Sequence, residues 1–81
     1  MFSKIEKDKL TVITDSNVFL ITLDDIRVVH YHSPLTWKNR PYGGRMEFIY
    51  KENDFRVIIE SINEENFNKI REMLNKHFRG E

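Results

Sequence analysis

The sequence predicts an α+β domain, an antiparallel meander of about five strands with one C-terminal amphipathic helix packed on the sheet. Two observations carry that expectation. Runs rich in β-branched and aromatic residues, separated by turn residues, fill the chain from Lys9 to Glu60. A single apolar stripe at three-to-four-residue spacing then runs from Phe67 to Phe78. With 81 residues there is room for one domain, expected to span 1–81. A chain this short buries only roughly 60–65% of its extended surface, so modest stability, helped by self-association, is expected.

Lys9 to Thr14 is the first predicted strand and ends at the turn cluster Asp15-Ser16-Asn17. Val18 to Thr22 follows at once, so the two should form a hairpin. Leu23-Asp24-Asp25-Ile26 is a polar corner between two apolar anchors. Arg27 to His32 alternates, with Val29 and Tyr31 on one side and Val28, His30 and His32 on the other; the pattern leaves open which side is buried. Ser33 to Gly44 reads as irregular, since it holds both prolines and two of the three glycines. Met46, Phe48 and Tyr50 restore alternation, and after Glu52-Asn53-Asp54 the run Phe55 to Glu60 makes the fifth strand, with Phe55, Val57 and Ile59 inward. The helix begins at Asn63, a suitable N-cap, with Glu64 and Glu65 in its first turn. Ile62 and Phe67 occupy hydrophobic-staple positions, Phe67, Ile70, Leu74 and Phe78 form the stripe, and Gly80 is the expected stop.

Composition excludes several function classes. Thirteen bases balance thirteen acids, which argues against a histone-like polycation or a polyacidic mimic of nucleic acid. Cysteine is absent, so there is no disulfide, thiolate metal site or thiol nucleophile, which suits a reducing cytoplasm. The longest apolar run is Val18 to Ile21, too short for membrane insertion, and Met1-Phe2-Ser3-Lys4 does not read as a targeting sequence.

The run Val18 to Ile26, a strand leading into a leucine-acid-isoleucine corner, resembles the small bacterial pleckstrin-homology-like domains. Phe55 to Glu60 leading through Ile62-Asn63-Glu64-Glu65 into Phe67, Ile70 and Leu74 is similar to their last strand and helix. The resemblance covers most of the chain through generic patterning, and it implies a binding module with no catalytic residues to transfer. A five-stranded SH3-like barrel with an added helix is the competing topology.

The most unusual feature is the distribution of charge. Arg27 to Met46 contains no acid but four bases, Arg27, Lys38, Arg40 and Arg45, whereas Glu47 to Asn66 holds six acids against two bases. Tyr31, Trp37 and Tyr42 are interleaved with the bases. Rings beside Arg and Lys dominate the binding energy of protein interfaces, and they also stack bases and clamp phosphates. Loop 31–45, with Tyr31, Trp37, Lys38, Arg40, Tyr42 and Arg45, is therefore the candidate site for a protein partner or for a second copy of the chain in a homodimer. A nucleotide or single-stranded nucleic acid at the same loop is the alternative; four charges are few for duplex DNA. A structural part in a larger, phage-type assembly is the third reading. The bland reading, in which Trp37 covers an open sheet end and the cations are merely solvated, weighs as much as the protein interface.

The remaining chemistry-bearing residues fit ordinary roles better. Gly43-Gly44 reads as a turn, lacking any nucleotide-loop signature. His30 and His32 share a strand face but nothing in the spacing supplies further ligands, so neither a metal nor another cofactor is expected. Asp24-Asp25 suits a turn and Glu64-Glu65 a helix start, and Ser3, Ser16, Ser33 and Ser61 sit in no nucleophile motif, so the chain does not read as an enzyme.

Overall fold

A computed structural model describes residues 1–80 and gives an α+β fold: eight antiparallel strands in three sheets, one turn of 3-10 helix and one C-terminal helix. The described strands close into no barrel. The chain divides into two compact units, Asp25–Phe67 and the discontinuous pair formed by residues 1–24 with the helix from Asn68 onward.

In the discontinuous unit, β1 (Phe2–Glu6), β2 (Lys9–Ile13) and β3 (Val18–Thr22) form an antiparallel meander. Ser3, Leu10, Val12 and Ile21 are buried on one side of it, as alternation requires. The polar corner is a 3-10 turn, Leu23–Asp25, whose Leu23 is buried and whose Leu23 N–H donates to the Asp8 carbonyl at 2.7 Å. β1 is absent from the sequence expectation because its buried face carries the small polar Ser3.

In the other unit, β4 (Ile26–His32), β7 (Gly44–Tyr50) and β8 (Arg56–Ile62) make a sheet of order β4-β7-β8. The central strand is buried nearly end to end: Met46 and Phe48 on one face, Glu47 and Ile49 on the other. Registry settles the faces of β4. Val29 opposes Phe48 and Tyr31 opposes Met46, so those side chains lie on the core side, while His30 and His32 lie with Glu47 and Arg45.

The fifth strand differs from expectation at both ends. Phe55 lies outside β8 and is 63% exposed, its ring set edge-to-face with that of Tyr50 at 5.8 Å between ring centres. At the other end the register shifts between Gly44 and Met46, where Ile59 and Ile62 face residues only two apart. The extra residue is accommodated at Ser61, whose φ of 59° is left-handed, and this bulge returns Ile62 to the buried side after Ile59. Gly43 is required there: a Cβ at that position would stand 2.7 Å from the Ser61 Cα.

The helix α1 (Glu64–Arg79) starts and stops as its sequence signals. The Asn63 side-chain oxygen accepts from Asn66 N–H at 2.8 Å, and the staple residues Ile62 and Phe67 are both buried. Ile70 and Leu74 continue the buried stripe, but Phe78 is 51% exposed, so burial ends one turn earlier than the periodicity implied. Gly80, at φ 77°, takes the left-handed position after the helix and donates to the His77 carbonyl.

Candidate protein-binding surface

The stretch expected to be irregular contains a third sheet. β5 (Leu35–Trp37) and β6 (Arg40–Tyr42) form a hairpin closed by two residues, Lys38 and Asn39, at φ 50° and 63°. Two consecutive left-handed residues are what a type I′ turn demands, and its twist matches that of the strands. Asparagine tolerates that conformation; lysine does so at a cost of about 1 kcal/mol or more.

Registry then dictates what the hairpin presents. Leu35 faces Tyr42 and Trp37 faces Arg40, so all four side chains share one face, with Thr36 and Pro41 on the reverse. Trp37 is 60% exposed, Leu35 56% and Tyr42 49%. Lys38 Nζ lies 5.9 Å from the centre of the Trp37 ring, a cation–π contact at the hairpin tip. In a two-residue hairpin the closing pair exchanges backbone hydrogen bonds and the next pair turns its backbone groups outward. That next pair is Thr36 and Pro41. Proline has no N–H, so the outer edge of β6 cannot donate to an added strand.

The foot of the hairpin is held by close packing. A Cβ on Gly44 would lie 2.7 Å from a ring carbon of Phe67 and 2.8 Å from Pro34 Cδ, so strand, helix start and proline meet there without spare room. Beside the foot opens a cavity of about 530 Å³ lined by Pro34, Leu35, Pro41, Tyr42 and Gly43, with Ser61, Asn63 and Glu64 on its polar side.

Of the six sequence-predicted site residues, Trp37, Lys38, Arg40 and Tyr42 stand together on this hairpin. Tyr31 and Arg45 do not. Tyr31 is half-buried, its ring edge-on to Phe67 with centres 6.2 Å apart, because it belongs to the core side of β4. Arg45 lies on the open face of β4-β7-β8, 3.3 Å from the Glu47 carboxylate. The fourth base of the acid-free run, Arg27, is tied to Asp54 at 2.6 Å. Leu35, which completes the hairpin face, was missed: a lone leucine after a proline in a glycine-rich stretch gives no periodic signal.

Glu47 organises a separate polar cluster. It is buried, and Arg45, Arg56, His30 and His32 surround it at 3.3, 3.5, 3.8 and 3.9 Å. Two guanidinium groups therefore hold the carboxylate that the histidine pair would need as a third ligand. Among the described residues no group of three or more His, Asp or Glu is arranged to hold a metal ion. No described helix is long and apolar enough to cross a membrane. The structure also exposes an apolar row that the sequence reading overlooked: Phe2, Ile13 and Val18 are register partners across β1, β2 and β3, with Leu20 on the same face. That row carries none of the Trp, Tyr or Arg anchors that dominate interface energetics.

Comparison of the chain with protein-family models, with curated proteins and with solved structures returns no match.

Proposed function

We propose that this protein is a non-catalytic binding module that recognises a protein partner through the side-chain face of the β5–β6 hairpin. One observation carries the reading: Leu35, Trp37, Arg40 and Tyr42 share a single face, and the three apolar members are each 49–60% exposed. An apolar and aromatic patch of this kind, lying on its own two-stranded sheet, is costly to leave in water unless something covers it. Trp37 is the anchor, Tyr42 and Leu35 complete its surroundings, and Arg40 and Lys38 set the charge of the approaching surface. The close packing of the foot at Pro34, Gly43 and Gly44 is in keeping with this role, since a closely packed support lowers the entropy lost on binding. Three meander strands, then three more interrupted by a hairpin, then a helix, is an order in keeping with a pleckstrin-homology-like scaffold, a reading that carries no site residue with it.

The nucleotide reading has less behind it, because only two of the four bases, Lys38 and Arg40, stand with the rings. Affinity capture from the native lysate, comparing the wild-type chain with the double variant Leu35→Ser, Tyr42→Ala, tests the proposal. A protein retained by the first and lost by the second, in the presence of nuclease, is the expected result. Equal retention by both chains, or a capture that nuclease abolishes, contradicts it.

A further inference from the structure

The cavity of about 530 Å³ at the foot of the hairpin lies within one compact unit, since every residue lining it falls between Asp25 and Phe67. Thr36 and Pro41 of the hairpin's reverse face wall it, and Trp37 takes no part. Its size falls within the range of about 300–1,000 Å³ usual for cavities that hold small organic ligands. Pro34, Leu35, Pro41 and Tyr42 give it apolar and aromatic walls, and Thr36, Ser61 and Asn63 bring polar side chains to it. One lining residue carries a full charge, Glu64, and no described lysine, arginine or histidine stands beside it in the lining. The neighbouring cavity of about 330 Å³ differs, because Arg45 and His32 line it together with Glu60. The Glu64 carboxylate forms no ion pair or hydrogen bond among the described residues.

We propose that this cavity binds a small organic amine, with the ammonium group on the Glu64 carboxylate and the apolar body against Tyr42 and the two prolines. An ammonium donates charge-assisted hydrogen bonds to a carboxylate, and the face of an aromatic ring attracts the same charge. The hydroxyl groups of Thr36 and Ser61 are acceptors for its remaining N–H groups. Helix α1 begins here, and its positive end, equivalent to roughly half an elementary charge, offsets the carboxylate only in part. An anion would gain little at that end, where Asn63 already accepts from the Asn66 and Phe67 N–H groups and Glu64 and Glu65 carry like charge. The site is additional to the protein-binding face and does not depend on it, since Trp37, Lys38 and Arg40 are absent from the lining.

Phenethylamine, protonated at neutral pH, is the probe, with phenethyl alcohol as its neutral counterpart and hydrocinnamate as its anionic one. Each is titrated to roughly 20 mM, the range of weak small-ligand affinity, into isotope-labelled chain at low salt while backbone amide resonances are followed. The amine should produce saturable shifts at Gly43, Ser61, Asn63 and Glu64, with the alcohol and the carboxylate each binding at least about threefold more weakly. Glu64→Gln, checked for a wild-type melting profile, should weaken the amine by at least about threefold. Glu65→Gln removes the same charge from a residue outside the lining and should leave the affinity unchanged. Absence of shifts at the lining residues overturns the proposal, as do equal affinities for the three probes, a smaller effect of Glu64→Gln, or equal effects of the two variants. The comparison of probes uses the wild-type chain alone, so it is decisive whatever the variants do to folding. Capture of a protein by the hairpin face is read separately, so failure of one proposal is distinguishable from failure of the other.

Discussion

Replacing Phe67 by alanine is expected to remove about 3–5 kcal/mol of folding stability, the range for truncating a buried phenylalanine. Phe67 is essentially inaccessible to solvent, meets Tyr31 edge-on, and packs against the backbone of Gly44 so closely that a single added carbon there would overlap its ring. It is also the helix-side member of the staple whose other half is Ile62. The side chain thus serves the helix start, the core side of β4 and the hairpin foot together. For a chain of this length total stability is on the order of 4–12 kcal/mol. The variant should therefore be largely unfolded or lose cooperative melting near 37 °C. Urea denaturation followed by far-UV dichroism measures the change. A loss below about 1 kcal/mol would mean that the helix start is not packed on β4 as described.

Trp37→Ala should behave in the opposite way. The indole is mostly exposed and its strand pairs only with β6, so folding stability should move by no more than about 0.5 kcal/mol. Binding of the captured partner should weaken by about 2 kcal/mol or more, roughly 30-fold, the scale of an aromatic anchor at an interface. Phe55→Ala is the matching control, because Phe55 is equally exposed but lies in the β7–β8 loop away from the hairpin in sequence and sheet. Isothermal titration on both variants distinguishes a specific anchor from general loss of surface hydrophobicity. Equal weakening by the two changes would count against the hairpin.

Much of the fold was legible because its signals are local. The helix was readable from a 3.6-residue stripe and from Asn63, whose side chain caps as its position implied. Its end was overread at Phe78, since periodicity reports which face a residue occupies and not whether anything lies beneath it. The strands of β2, β3, β4 and β7 followed from β-branched runs and alternation. In β8 the same rule misplaced Phe55, and it does not extend to Ile62, because alternation fails wherever a bulge inserts a residue, and Ser61 has none of the glycine signature that marks one. The hairpin was hidden for a related reason. Its turn uses Lys38-Asn39 instead of a glycine pair, its strands are three residues long, and Pro41 argues against a strand unless it occupies an outward-facing edge position, as it does.

The candidate site was half legible. Rings and bases without acids marked the right segment, and four of the six named residues fall on one hairpin. Composition could not tell that Tyr31 and Arg45 belong to strands whose faces turn them elsewhere, Tyr31 to Phe67 and Arg45 to Glu47. Those are contacts between residues far apart in sequence, set by registry across the sheet, and no local pattern encodes them.

The chain contains one tryptophan, so emission excited on the red side of tyrosine absorption reports on the hairpin alone. In dilute, isolated protein the emission of Trp37 should be that of a water-exposed indole, freely quenched by acrylamide. It should shift to the blue and become shielded when the binding face is occupied by the captured partner. An indole already shielded in the dilute chain, and released only on unfolding, would contradict the account, because the face on which recognition depends would then be part of the core.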